Sequence, residues 1–300
     1  MKTSGSMIQG ALLPSAYPAF AKYFVRFVQQ YEAAGVPIFA ITMQNEPKYI
    51  PNDYPGMIMT AREQTEVLAN YLGPAFRDAH LKTKILVFDH SWDLIQYPLE
   101  VLSDAKASSF AAGTETHCYG GNVTAQNELH DRFSDFPDKD IWLTECSGGD
   151  WQTGKILPQQ VRLVIGATRN WAKSVVLRNL ALDQEHKPFL GGCTTCRRII
   201  TVNLNRASQP SKVEPSVDYT ALAHTNKFVV PGAYRVESNT FCEGSLEDVA
   251  FLNPDGSLVL IVLNTTGGNA AFNIGWTGKY ATYKLPAAAV AAFRWNPSAP

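Results

Sequence analysis

The chain has 300 residues, long enough for a large core and one or two domains, and its apolar fraction of 45% is ordinary for a folded protein. Its 26 lysines and arginines nearly balance 27 aspartates and glutamates, for a formal net charge of −1, with no basic block. That balance argues against nucleic acid or an acidic membrane surface as a partner. No apolar run approaches the roughly 20 residues of a membrane span, and Met1 to Ser6 lack the apolar segment of a secretory signal.

The first periodic stretch is 17–34. Ala19, Phe20, Tyr23, Phe24, Phe27 and Val28 recur at helical spacing, and Gly35-Val36-Pro37 ends the helix. Ile38, Phe39, Ala40, Ile41 and Met43 then form a near-continuous apolar run, which predicts a strand covered on both faces. It stops in Gln44, Asn45 and Glu46, followed by Pro47, and proline pushes the residue before it towards extended backbone. A second helix is predicted over 60–80, with Thr60 and Glu63 as a capping box. The next strand, 84–89, runs into the polar cluster Asp89-His90-Ser91-Trp92. A short helix over 97–106 precedes a strand at 114–117, which leads into Cys118-Tyr119-Gly120-Gly121. A helix over 124–133 and a strand at 141–144 follow, the strand closing on Glu145. Val161, Val164, Ile165 and Thr168 mark one face of a helix over 157–171. A strand over 174–182, a long loop and a helix over 218–228 complete this part.

Strand–helix alternation is the signature of a parallel α/β fold. After Pro231-Gly232 the pattern changes to short strands at 234–238, 248–252, 258–264, 270–274, 280–285 and 288–294. Asn253-Pro254-Asp255-Gly256 and Thr265-Thr266-Gly267-Gly268-Asn269 are turn sequences between them. The expected division is an α/β domain over 1–230 and a small β-sandwich over 231–300.

Two strands far apart in sequence each end in a glutamate, Glu46 and Glu145. In α/β barrels the carboxyl ends of the strands carry the chemistry. Retaining glycoside hydrolysis needs such a pair: one carboxyl protonates the leaving oxygen while the other attacks the sugar carbon. The plainer alternative is a pair of strand-end carboxylates held in salt bridges.

Several segments resemble glycoside hydrolase family 30, in family order over nearly the whole chain. They are Met1-Lys2-Thr3-Ser4-Gly5-Ser6, Ala40-Ile41-Thr42-Met43-Gln44-Asn45-Glu46-Pro47, Thr116-His117-Cys118-Tyr119-Gly120-Gly121, Trp142-Leu143-Thr144-Glu145-Cys146, Asn179-Leu180-Ala181-Leu182-Asp183 and Asn226-Lys227-Phe228-Val229-Val230-Pro231-Gly232-Ala233. The resemblance implies a (β/α)8 TIM-type barrel with a C-terminal β-sandwich. Five strand units are recognisable in the barrel part, fewer than a closed barrel holds. The segment at Met1–Ser6 lies inside the chain in the family. The expectation is therefore a barrel incomplete at its N-terminus, starting after strand three; a short protein with a rearranged barrel is the alternative.

By resemblance Glu46 is the acid/base, which must carry a proton when it acts, and Glu145 the nucleophile, which must stay ionised. Asn45 is expected to hydrogen-bond the sugar 2-hydroxyl, its alternative being a turn-forming asparagine. His117 and Tyr119 lie near the two carboxylates by resemblance and can orient the nucleophile; a packed aromatic pair is the other reading. Asp89 and Trp92 follow another strand, and Trp92 either stacks on a sugar face or packs in the core. Family members often carry Asn at Ser91 and Trp at Arg178, so sugar contacts there differ in this chain. Asn179 remains a candidate contact. Trp151 either borders an outer subsite or packs.

The five cysteines are an odd count. Cys193 and Cys196 sit on one loop with no second pair to complete a metal site and no thioredoxin-like context, so a local disulfide is expected. Cys118 and Cys146 each follow a candidate site position and are expected to be neighbours, with free buried thiols as one reading and a catalytic cysteine as a weaker one. Cys242 has no obvious partner. Together these features predict a retaining β-glycosidase without metal or cofactor, acting on a β-linked glycoside or glycan. A glucosylceramide-like β-glucoside is the leading substrate, with endo-β-1,6-glucanase, β-xylosidase or galactosidase activity as alternatives. A truncated, non-catalytic sugar-binding remnant is the rival of another class. The full-length protein is expected to be secreted or extracytoplasmic.

Overall fold

The computed structural model describes residues 1–133, 136, 138–204, 212–239 and 245–297. Cys242 lies outside the described residues. The chain divides into two compact units: Met1–Cys146 with Asn170–Val176 and Phe189–Thr194, and Ser147–Arg169 with Leu177–Pro188 and Thr195–Pro300.

In the first unit, α1 (Tyr17–Ala33), β1 (Ala40–Thr42), α2 (Ala61–Val67), a π-helical turn (Leu68–Leu72) and α3 (Gly73–Asp78) come first. They are followed by β2 (Lys84–Ser91), α4 (Gln96–Ser103), α5 (Ala105–Phe110), β3 (Ala111–His117), α6 (Ala125–Arg132), β4 (Asp140–Glu145) and β5 (Ala172–Val175). The five strands form one parallel sheet in the order β1-β2-β3-β4-β5. This is barrel-type alternation, with sequential strands paired as neighbours. Val67, Leu68, Leu72, Phe88 and Leu129 are fully buried in its core.

Four local expectations are corrected. The strand predicted as covered on both faces is a ladder of three residues, and Phe39 is 64% exposed. Among the described residues β1 pairs only with β2, and the outward Phe39 ring instead carries Lys84 Nζ at 5.3 Å from its centroid. The helix over 60–80 does start at the Thr60–Glu63 capping box, but it breaks into three pieces. Pro74 has no N–H and crowds the carbonyl one turn back, and the chain accommodates it with a π turn closed by Gly73 N–H to Leu68 O. The helix over 97–106 is two helices, because the Asp104 side chain accepts the Ala107 N–H at 2.8 Å and restarts the coil. The strand over 174–182 ends at Val175. Beyond it, Asn179 and Leu180 bond to the 197–200 segment instead.

One irregularity shapes the site. The β2–β3 register slips between Phe88 and His90, so Asp89 has no ladder partner. Phe88 and Asp89 both take positive φ, 82° and 79°. The Phe88 N–H donates to Gln64 Oε1 at 2.9 Å. This is a β-bulge, which re-aims one side chain.

The second unit holds α7 (Ile156–Arg169), α8 (Val217–Asn226), a small sheet of β6 (Ala181–Leu182), β7 (Ile200–Asn203) and β8 (Lys212–Pro215), and six further strands. These are β9 (Tyr234–Val236), β10 (Leu246–Leu252), β11 (Leu258–Asn264), β12 (Ala270–Trp276), β13 (Lys279–Leu285) and β14 (Val290–Trp295). β14-β11-β10-β9 make one antiparallel sheet and β12-β13 another. Alternation along β11 fixes the layers. Val259, Ile261 and Leu263 pack with Val161 and Ile165 of α7 and Ala221 of α8, while Leu260 and Val262 pack with Phe272 and Leu285. The strands β7 and β8 fall in the stretch read from sequence as a loop.

Candidate active site

The carboxyl ends of β1 to β4 border a cavity of about 300 Å³, lined among others by Thr42, Asn45, Asp89, Glu115, His117 and Glu145. Each strand contributes through its own local geometry. On β3, Glu115 and His117 are two residues apart and so share a face. On β2 the bulge turns Asp89 to that same cavity.

Glu46 departs from expectation. Its φ is 44° rather than extended. The Asp89 carbonyl takes its N–H at 2.8 Å, and its own carbonyl accepts the Tyr49 N–H at 2.8 Å. A turn closed by these bonds overrides the local preference before proline, and residues so strained collect at functional sites.

His117, 1% exposed, ties the site together. Its Nδ1 lies 3.1 Å from Glu46 Oε1 and its Nε2 2.6 Å from Asp89 Oδ1. The second Asp89 oxygen accepts the Thr42 hydroxyl at 2.6 Å. Burial works against the charged imidazole. Hydrogen bonds to Asp89 and Glu46 and the charges of Asp89 and Glu145 outweigh it, so His117 is pushed up to about 10. Its two ring nitrogens thus face the carboxyl groups of Asp89 and Glu46. His90, by contrast, is held below its ordinary value by burial. Beneath Asp89, burial and the Asp89 carboxylate raise Glu115 well above the ordinary carboxylate range.

On the other side of the cavity, the Tyr119 hydroxyl donates to Glu145 Oε1 at 2.8 Å. One atom each of Glu46, His117 and Glu145 lies within 4.8 Å of the others. These three are potential metal donors. The two carboxyl groups also suit proton transfer and carboxylate attack.

The residues 1–205 match the Glycosyl hydrolase family 30 TIM-barrel domain, and 232–293 match the Glycosyl hydrolase family 30 beta sandwich domain. The chain belongs to glycosyl hydrolase family 30. Within family 30 it is 31% identical to Endo-1,6-beta-D-glucanase neg1 of Aspergillus fumigatus, over 95% of this chain and 59% of that protein. Lysosomal acid glucosylceramidase of Mus musculus is 28% identical over 86% of this chain and 52% of its own length. The solved endo-beta1,6-glucanase BT3312 superposes with a TM-score of 0.88 at 31% identity, covering 98% of this chain and 66% of that one. The chain thus spans a little over half the length of the curated relatives it matches.

Of the expected site residues, the fold brings Glu46, Glu145, Asn45, Asp89, His117 and Tyr119 together. Of the two readings of Trp92, its 6% exposure fits the core one and not a sugar-stacking face. Asn179 belongs to the second unit, where its N–H donates to Arg197 O and its carbonyl accepts the Ile199 N–H. Cys193 and Cys196 are both disulfide-bonded. Cys118 and Cys146 are not free thiols: they are joined to each other, with Cα atoms 5.3 Å apart. Thr42 and Glu115 were missed. The signal for Glu115 was its place two residues before His117 on one strand, and for Thr42 its place within the strand that ends at Glu46.

Proposed function

We propose that this chain carries the catalytic pair of a retaining β-glycosidase acting on β-1,6-linked glucan. The observation behind this is the approach of the Glu46 and Glu145 carboxylates to within 4.8 Å at the ends of two parallel strands. A separation of about 5–5.5 Å between carboxyl groups leaves no room for a water and favours direct attack. Glu145 attacks the anomeric carbon, and Glu46 passes its proton to the departing glycosidic oxygen. A water, losing its proton to Glu46, then attacks the same carbon and frees Glu145. Tyr119 holds one Glu145 oxygen, which leaves the other to attack. His117 holds one Glu46 oxygen, which leaves the other to face the leaving group.

The substrate preference shifts from the sequence-based lead. Endo-1,6-β-glucanases match at 31–32% identity and glucosylceramidases at 26–28%, so β-1,6-glucan stands first here and glucosylceramide second. The domain division at 230/231 belongs to this proposal, as does an extracytoplasmic location. The location is supported by the disulfides, which persist in oxidising compartments. Among the described residues no helix is long and apolar enough to cross a membrane.

The test is hydrolysis of a linear β-1,6-glucan, an aryl β-glucoside and glucosylceramide by the purified chain beside Glu145→Gln. Release of β-1,6-oligosaccharides that stops in the variant, with the β-anomer seen first by proton NMR, is the expected result. First appearance of the α-anomer would exclude a retaining mechanism. Cleavage of glucosylceramide alone would overturn the substrate.

A further inference from the structure

We propose that the Cys118–Cys146 disulfide is a positioning device for the reaction: it is the covalent rung that keeps Tyr119 against Glu145. The inference rests on the reading of Glu145 as nucleophile. The β3–β4 ladder is regular only as far as Thr116 and Leu143; the register then slips, and the final pair is His117 with Glu145. Beyond that pair no further ladder rung joins the two strands. The next residue on each strand is a cysteine, and the two are bonded to each other. The covalent link thus takes over where the hydrogen-bonded ladder stops.

Tyr119 is 43% exposed, and its ring meets His117 edge-on, with centroids 5.9 Å apart. The far end of this short loop is also seated. A Cβ on Gly121, at φ 80°, would lie 2.5 Å from Asp93 N, so the turn fits against Asp93 without a side chain. Cys146, 5% exposed, gives the rung a buried anchor directly after Glu145. The disulfide joins the residue before Tyr119 to the residue after Glu145. It therefore spans the same gap as the 2.8 Å hydrogen bond between them.

The experiment is a double-mutant cycle between the disulfide and Tyr119, with amide hydrogen exchange of the 117–121 and 144–146 segments beside it. Cys118→Ala/Cys146→Ala is compared with Tyr119→Phe and with the triple variant on linear β-1,6-glucan. If the disulfide acts through Tyr119, its loss lowers kcat by roughly tenfold to a hundredfold, as misplacement by about 1 Å does, with KM little changed. The same loss then adds almost nothing in the Tyr119→Phe background. Losses that multiply independently, or an unchanged kcat, overturn the proposal. Hydrogen exchange carries the test where wild type turns over no glycan. Faster exchange at 117–121 on disulfide loss then supports the positioning role while the glycosidase reading falls, and unchanged exchange sinks the positioning role itself. Should the alanine pair fail to fold, Cys118→Val/Cys146→Ala keeps more of the buried volume and takes its place.

Discussion

The Nε2 of His117 lies 2.6 Å from Asp89 Oδ1, and both side chains are buried. The contact joins two strands, since Asp89 comes from the bulge of β2 and His117 from the end of β3. It also ties in Glu46, because the other imidazole nitrogen reaches that carboxyl group.

Removing the imidazole leaves Asp89 buried without its cation. For His117→Gln we expect a stability loss of about 3–5 kcal/mol, the usual cost of breaking a buried pair from one side. Denaturant unfolding at constant pH measures it, and a loss below about 1 kcal/mol would mean the pair is solvated in practice.

The same contact sets a pH dependence. His117 is raised from 6.5 to about 10 on folding, so the folded protein holds its proton more tightly than the unfolded chain does. Its contribution is complete below pH 6.5 and is lost as pH rises through about 10. Wild-type melting temperature should fall over that window, and the fall should be shallower in His117→Gln. Parallel curves would contradict the assignment of the raised imidazole.

Glu115 adds to the same slope from a lower starting point. It is raised above 4.5 and faces Asp89, Thr144 and His117. Its contribution is complete below pH 4.5 and declines above it. Glu115→Gln keeps the shape of a neutral carboxyl and removes the titration. It should fold and flatten the decline in stability above pH 4.5. A variant that instead loses stability at every pH would show that Glu115 works as an ion.

In their proposed roles, Glu46 and Glu145 should separate by chemical rescue. Glu46→Ala is expected to keep turnover on aryl glucosides with good leaving groups and to give a β-glycosyl azide when azide is added. Glu145→Ala should be inert alone and give the α-azide. Either alanine variant should lower kcat on glucan by at least about a hundredfold. An α-azide from Glu46→Ala and a β-azide from Glu145→Ala would reverse the assignment.

At Gly113, φ is 149° and a Cβ would sit 2.0 Å from Asp140 O. Neither backbone can withdraw without breaking the β3–β4 pairing. Gly113→Ala should therefore cost more than about 3 kcal/mol or prevent folding. Normal melting would mean that β3 and β4 have slack.

The readable parts of this site share one property: their signal is local. Glu46 and Glu145 end apolar runs, and Thr60 with Glu63 spells out a cap that the structure closes as expected. The parts that were not readable depend on partners far away in the chain. Thr114, Glu115, Thr116 and His117 alternate in no useful way, because all four are buried. Thr114 and Thr116 are satisfied by the carbonyls of Val87 and Trp142 on the flanking strands. Phe39 leaves its expected place and Trp92 takes one of its two for the same reason: which ring is covered depends on what packs beside it. Cys118 and Cys146 were legible as neighbours, since each follows a candidate site residue, but nothing in the sequence said that the two thiols are joined.

The extra residue on β2 makes the spacing of this strand unforgiving. Side chains alternate faces, so a strand that loses one residue exchanges every later side chain from one face to the other. Deleting a single position between Leu86 and His90 would carry the carboxylate away from the imidazole and bring an apolar ring into its place.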